Sequence, residues 1–453
     1  MAVTYDVVII GAGLSGTFCA SLLKKKGIQP ILVEASSRIG GRLKSIREGQ
    51  TCYELGGTYI GNSYKRVISA ANELGLELID VSDLLSFFKH QDLVIDGEII
   101  SQSQWPDHPK NTLSDELKKI MPWNLHRILL KKHNPFSDTS ECLNHESAFN
   151  DRSMSEWLRS LGFDEAAIRI IYGMNSSYGC DANEISLLQL FHRASFSNAQ
   201  SNKDQQSGFT LKEGMSRLTE RLIEANDLDV LLSHKVEEIS NDGEYYSVQT
   251  SQGKTVKAKF LVVTLPPSCI QDIKLKDVMP MSLLDLVSTL KSQPMIQVHF
   301  KIKNPFWDDD QYAPSLFSND LFGMCHEVRQ LDNPEHITGL TSWVMGSQAK
   351  KLLAISPNEA ANKILDRYNS VRPSSKNNLK IDSIAAWGHD RNFKGGWVYF
   401  NPGAFRAFHN MLPNLDARFC LAGEHTARHT RGMEGAMESG ESAANKILSQ
   451  LSG

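Results

Sequence analysis

Apolar positions along this chain fall either into short continuous runs or into stripes spaced three and four apart, and the alternation of the two predicts its elements. Residues 5–10 form a β-branched run, 11–16 are glycine-rich, 17–26 have helical periodicity and 30–33 are apolar again, which predicts a strand–helix–strand unit. Residues 62–78 predict a helix. Residues 80–115 read as irregular apart from a hairpin, LVIDGEII, turning at Asp96-Gly97. The chain is polar and breaker-rich over 105–140 and regains a helical pattern over 154–172. From Gly208 the pattern predicts a helix over 214–225, a strand over 230–232, strands around Asp242-Gly243 and Gly253, and a buried run over 260–265. Strands at 295–302 and 339–344 and a helix at 357–368 follow, and 432–450 predicts a terminal helix.

Composition narrows the class. The 453 residues are 41% hydrophobic and 22% charged, with a formal net charge of −4, so the chain is a folded protein and not a general binder of nucleic acid. The length allows about three domains at roughly 150 residues each, but large α/β enzymes often use fewer, and two lobes are expected. Seven cysteines are scattered with no CxxC pair, as expected of reduced thiols in the cytoplasm. The N-terminus lacks a basic region followed by an apolar stretch, and no apolar run approaches the roughly 18 residues of a membrane span. A soluble protein with no membrane anchor is expected. The charge clusters at 24–26 and 131–133 read as solvated surface.

The candidate chemistry begins at Gly11-Ala12-Gly13-Leu14-Ser15-Gly16, which follows a strand and opens a helix. There Gly11 makes a tight turn, Gly13 lets the backbone approach a pyrophosphate, and Gly16 lets helix and strand pack closely. Glu34 ends the second strand 23 residues after Gly11, the spacing at which a carboxylate accepts from ribose hydroxyls. Ala35-Ser36-Ser37-Arg38-Ile39-Gly40-Gly41-Arg42 then brings a guanidinium fork to a phosphate, an element a nicotinamide enzyme does not need. Glu54-Leu55-Gly56-Gly57-Thr58-Tyr59 offers side-chain-free backbone to a flat ring.

With GAGLSG, VEASSRIGGR and ELGGTYIG near the start, KEGMSRLTERL, HKVEEI and FLVVTLPP in the middle, and LAGEHTARHTRGMEGAMESGESAA over 421–444, the chain resembles the flavin-containing amine oxidase family nearly end to end. That family includes monoamine oxidases, polyamine oxidases and L-amino acid oxidases. The resemblance implies an α/β, two-lobed flavoprotein. Its Rossmann-type FAD lobe would be discontinuous (1–88, 208–276 and 387–453) and its α+β substrate lobe would take 89–207 and 277–386. It further implies that Glu34 binds the adenosine ribose, Arg42 the pyrophosphate and the backbone of Val236 the adenine edge. Gly423 and Glu424 would lie by the ribityl and phosphate region, and Met433 would offer its amide to the flavin C2 carbonyl. The helix starting near Gly432 would aim its positive end at the ring edge where charge accumulates on reduction.

Three departures from the monoamine oxidase pattern shape the expected activity. Gln297 stands where the family has a lysine bonded through water to flavin N5. Trp397 and Val398 stand where covalently flavinylated members have a cysteine and an aromatic wall residue, which implies non-covalent FAD. Gly432 replaces the second tyrosine of their aromatic sandwich, leaving room for a bulkier amine, with Trp397 as one aromatic wall. Tyr59 is expected in the pocket and Trp387 beside the flavin. L-amino acid oxidases carry an arginine just after the glycine pair where this chain has Thr58-Tyr59; Arg193 of the middle segment offers the same chemistry. The expected reaction is hydride transfer from the amine's α-carbon to flavin N5, imine hydrolysis, and reoxidation by oxygen (giving peroxide) or another acceptor. Desaturation of a non-amine, amino-acid oxidation and a catalytically weak FAD-binding scaffold are the alternatives. A homodimer is a family-level expectation. His425 and His429, four apart without a third ligand, predict no metal, and Cys325-His326 would face opposite sides of a strand.

Overall fold

A computed structural model of the chain describes residues 3–48, 51–82, 90–144, 148–174, 180–201, 208–331, 333 and 335–451. The first strand, β1 (Val3–Ile10), leads into helix α1 (Leu14–Lys24) and returns as β2 (Pro30–Val33). β1 ends in the apolar run Val7–Ile10 because there it pairs in parallel with β2 on one side and with β3 (Thr255–Val263) on the other. Val7, Val8 and Ile9 are fully buried, each such side chain contributing about 1.5–3 kcal/mol. The eight-stranded sheet runs Asp229–Leu231, β2, β1, β3, Tyr246–Thr250, Val236–Asn241, Lys274–Lys276, with β4 (Phe419–Leu421) also paired to β3. Chain order reverses at β1, so a crevice opens beyond its carboxyl end, where Gly11 lies.

The terminal helix, α2 (Gly432–Leu451), packs along α1. A Cβ on Gly440 would stand 2.5 Å from the Ser15 carbonyl oxygen, and the Ser15 and Ser439 hydroxyls share a hydrogen bond of 3.1 Å. The early residues of α1 are thereby fixed from behind.

A second, seven-stranded sheet has the order Leu379–Ala386, Met295–Ile302, Ile337–Met345, Met324–Arg329, Ser315–Ser318, Gln91–Ile95, Glu98–Ile100. It is mixed, the pairing of Gln91–Ile95 with Ser315–Ser318 being parallel. The expected hairpin is present: Ile95 faces Glu98, and Asp96 and Gly97 take positive φ of 51° and 78°. Strands of the first sheet come from 3–33, 229–276 and 419–421, and those of the mixed sheet from 91–100 and 295–386. The expected lobe boundary at 88/89 lies outside the described residues, as does residue 207 at the next one.

Three expectations are corrected. The helix expected over 62–78 is Lys65–Glu73; Gly75, at φ 70°, ends it, and Leu78–Asp80 pairs instead with Gly208–Leu211. The breaker-rich stretch 105–140 contains the helix Pro122–His133, with proline tolerated in its first turn and Trp123, Leu125, His126, Leu129 and Leu130 buried. Its exposed basic last turn had read only as surface. The pattern over 154–172 is two helices, Met154–Ser160 and Glu165–Tyr172, capped by Ser153 and Asp164 and separated at Gly162. A further helix, Leu187–Ser201, had no expectation attached. All seven cysteines are free, and among the described residues no helix is long and apolar enough to cross a membrane.

Candidate active site

A cavity of about 570 Å³ runs from the glycine-rich turn to the mixed sheet. Gly11, Gly13, Ser15, Glu34 and Val236 line one end, Arg42, Gly423 and Glu424 its middle, and Gln297, Tyr59, Trp387, Trp397 and Trp343 the other end. Gly16 lies behind the lining. A Cβ there would sit 2.1 Å from the Gly11 carbonyl oxygen, so only glycine lets α1 start this close to β1.

Glu34 is 6% exposed, and its carboxylate is oriented by backbone: Oε2 accepts from the Ala12 amide and Oε1 from the Ser36 amide, each at 2.8 Å. Its remaining lone pairs are available to hydroxyl donors in the cavity. Arg42 donates from Nη1 to the Gly396 carbonyl at 2.6 Å and to Glu424 Oε1 at 3.1 Å, and the same Oε1 accepts from the Val398 amide at 2.8 Å. The fork is thus held over the cavity by the loop that also carries Trp397.

Gly56, Gly57 and Thr58 line the cavity, but the reason for the glycine pair differs from the one expected. A Cβ on Gly56 would meet the Arg42 carbonyl oxygen at 2.2 Å, and one on Gly57 would meet Leu43 at 2.9 Å and the Met433 sulfur at 3.3 Å. The missing side chains make room for protein as this turn folds back on Arg42. Gly432 (φ 57°) and Met433 line the cavity at the start of α2. Glu434, in the same turn and 1% exposed, is directed away and accepts from the backbone amides of Arg66 and Val67.

At the mixed-sheet end a row crosses three adjacent pairings: Ala385 opposite Gln297, Gln297 opposite Trp343, Trp343 opposite Met324. Gln297 is fully buried. The Trp387 indole N–H donates to the Leu55 carbonyl at 2.8 Å and to Gln297 Oε1 at 3.0 Å. Because an indole can only donate, the amide orientation is fixed: oxygen to Trp387, NH₂ to the cavity. Gln297 Nε2 and the indole nitrogens of Trp343 and Trp397 are buried donors without an acceptor among the described residues. Three such donors around one apolar-walled space fit a ligand rich in ring nitrogens and carbonyls, as a flavin is. Burial pushes the Tyr59 phenol up to about 12 and the His326 imidazole down to about 3, so both line the cavity uncharged near neutral pH.

Val398 is a correction. Its side chain is 2% exposed and packs in the core with Phe400, Phe405 and Phe408, and does not line the cavity. Its strand position turns it inward while Trp397 turns outward. His425 is buried and pushed down to about 3 by burial, then by Arg42 and His409, whereas His429 lies against Thr139 at 3.3 Å; the two do not converge. Among the described residues no His, Cys, Asp or Glu group could hold a metal ion. Cys325 lies in the core and His326 in the cavity wall, on opposite faces of their strand. Sequence reasoning missed Met324, Trp343, Tyr64 and Arg127 as lining residues. The two-residue alternation Met324, His326 is the one local signal for any of them.

The comparisons with known proteins agree with this geometry. The model of the family "Flavin containing amine oxidoreductase" matches residues 14–448. The flavin-containing amine oxidase B of Canis lupus familiaris is 24% identical, with 98% of this chain and 86% of that protein covered, and that of Sus scrofa is 25% identical over the same shares. Among solved structures, a putrescine oxidase triple mutant superposes with a TM-score of 0.80 at 19% identity, covering 99% of this chain and 100% of that one. Cyclohexylamine oxidase from Brevibacterium oxydans IH-35A superposes at 0.79 and 21% identity over the same shares. The chain belongs to the flavin-containing amine oxidoreductase family, enzymes that act on CH–NH bonds.

Proposed function

We propose that the chain binds FAD non-covalently and oxidises an amine at its α-carbon, returning the electrons to oxygen or another acceptor. The observation that carries this reading is a single cavity joining the glycine-rich turn and Glu34 to an aromatic end where Gln297, Trp343 and Trp397 present unused N–H donors. A long ligand with a polar tail and a flat ring suits that shape. The lobes proposed are 1–88, 208–276 and 387–453 for FAD and the two remaining stretches for substrate. Seven free cysteines suit a reducing cytoplasm.

When bound, the flavin supplies the acceptor for the two electrons and the hydrogen lost from the amine's α-carbon. Glu34 would accept from the ribose hydroxyls, Arg42, its charge balanced by Glu424, would hold the pyrophosphate, and Val236 would border the adenine. Met433 would offer its amide to the ring edge, with the start of α2 behind it. Gln297, locked by Trp387, would donate toward the ring. Tyr59, Trp343 and Trp397 exclude water from the amine, which favours its neutral, reactive form. Hydride transfer from a neutral amine requires no general base, so the part of these side chains is to orient and desolvate the amine.

Non-covalent binding has a direct test. Cys269 is the one cysteine among the described cavity-lining residues; its thiol donates to the Asn392 carbonyl at 3.3 Å, and it neighbours Lys394 and Asp272, away from the aromatic end. Acid precipitation is therefore expected to release all the yellow colour into the supernatant; colour retained in the pellet contradicts the reading. The activity is tested by anaerobic stopped-flow mixing with primary, secondary and cyclic amines and amino acids. Bleaching of the bound flavin by at least one of them is the expected outcome. A stably bound flavin that no amine bleaches would mark a scaffold.

A further inference from the structure

We infer that the ion pair of Glu434 with Arg66, beside the start of α2, tunes how readily the bound flavin takes up electrons; the inference rests on the flavin-binding part of the reading above. Gly432 and Met433 bring the start of α2 to the cavity wall, and Glu434 follows them directly. Its carboxylate is 1% exposed and turns away from the cavity toward the helix Lys65–Glu73, which shares a core with α2 that includes Val67, Ala70 and Met437. Tyr64, the residue before that helix, gives it no side-chain cap, and α2 supplies one instead. The Arg66 amide donates to both Glu434 oxygens at 3.1 Å, and the Val67 amide donates to Oε2 at 3.2 Å. The Arg66 side chain donates from Nη1 to Glu434 Oε1 at 3.1 Å and from Nε to Glu441 Oε2 at 2.8 Å. One guanidinium thus stands between two carboxylates of α2, Glu434 in its first turn and Glu441 further along.

Capping two amides calls for oxygen atoms and not for a charge, since a neutral asparagine or serine serves as well. A buried ion pair is also a weak source of stability, because each partner loses its water. At the start of α2, however, a charge acts on the cavity. A helix start carries roughly half a unit of positive charge, which favours the negative charge that reduction adds at the edge of the flavin ring. The Glu434 carboxylate brings a whole negative charge into the same turn, enough to outweigh the helix. Arg66 offsets it and leaves the helix's contribution standing. Because Glu434 is almost wholly buried, water and salt screen this balance little. The two halves of the pair therefore act on the ring with opposite signs.

The test measures the midpoint potential of the flavin-loaded protein, reduced slowly under nitrogen with reference dyes at one pH, so no amine is needed. Glu434→Gln removes the negative charge and should raise the ratio of reduced to oxidised flavin at a fixed potential at least about threefold, about 14 mV for a two-electron couple. Arg66→Met uncovers both carboxylates while leaving the two backbone amides on Glu434, and should lower that ratio at least about threefold. Arg66→Lys keeps the charge and should restore the parent's ratio. A helix merely loosened would shift both charge-removing variants the same way or not at all, and lysine would not rescue it. Opposite shifts with rescue sustain the inference. Shifts in one direction, a shift under about threefold in either charge-removing variant, or a lysine variant that behaves like the methionine one overturns it. Should Glu434→Gln come out free of flavin, the two Arg66 variants decide on the same terms. A parent protein that holds no flavin overturns the flavin reading and this inference together. A parent that holds flavin but is bleached by no amine loses the amine reading alone, and the potentials still decide.

Discussion

Gly16→Val is expected to yield a protein that is both less stable and almost free of flavin. The added Cβ would stand 2.1 Å from the Gly11 carbonyl oxygen and 3.2 Å from the Thr264 hydroxyl. The first neighbour is backbone in the tight turn after β1, and the second is tied down, since Thr264 Oγ1 donates to the Ile10 carbonyl at 2.8 Å. Relief can come only from moving α1 away from β1, which Gly440 and Ser439 oppose from the other side. Overpacking of this kind costs about 1–3 kcal/mol. Because the start of α1 is also the phosphate-facing end of the cavity, the same displacement should lower flavin occupancy at least tenfold, about 1.4 kcal/mol. Gly13→Ala separates the two effects. Its nearest protein neighbour would be the Gly41 Cα at 3.7 Å, an ordinary contact, so the flavin-free protein should keep its thermal midpoint while flavin content falls. The checks are the ratio of visible to protein absorbance after purification and the thermal midpoint of each variant stripped of flavin. A Gly13→Ala protein as yellow as the parent would mean that the phosphates do not pass this turn.

The contrast between these glycines shows what the sequence discloses. Gly11, Gly13 and Gly16 sit on a local device, a strand, a turn and a helix within one short segment, so apolar run and glycine spacing were enough to read the cofactor end, including Glu34 at the close of β2. The amine end is different. Gln297, Trp343 and Met324 form one row only because three antiparallel strands settle into one register, and no local pattern specifies a register between segments so far apart. Gln297 was legible because a family motif marked its position; Trp343 had no such mark. Arg127 was hidden for a second reason: its helix ends in Lys131, Lys132 and His133, so its polar turn masked the apolar face of Trp123, His126 and Leu130 that docks it. Val398 failed in a third way. A family column placed it at the wall, whereas strand alternation sends neighbours Trp397 and Val398 to opposite sides.

Gln297→Lys is expected to raise the rate at which the reduced protein reacts with oxygen by at least tenfold, and to make that rate pH-dependent. Oxygen gains negative charge as it takes electrons, and the parent offers only a neutral amide there. A unit cation about 4 Å from a developing anion interacts by about 4 kcal/mol at an effective dielectric of about 20. If desolvation of the ammonium takes back two thirds, the remainder is still about tenfold in rate. The substitution is tolerable because the Trp387 indole keeps its bond to the Leu55 carbonyl at 2.8 Å when the glutamine oxygen is lost. The new ammonium stands where the wild-type side chain is fully buried, and the described cavity carboxylates are engaged elsewhere, so its pKa should fall below the ordinary lysine range. The sign of the pH effect follows: the acceleration is largest below that lowered pKa, where the lysine is charged, and fades as pH rises through it, whereas Gln297 has no proton to lose. Stopped-flow mixing of the photoreduced proteins with oxygen across a pH series reads both features at once, with no need to know the substrate. Identical rates for parent and variant at every pH would show that charge at this position does not limit the reaction, and the neutral residue would then have to be explained by the fit of the amine.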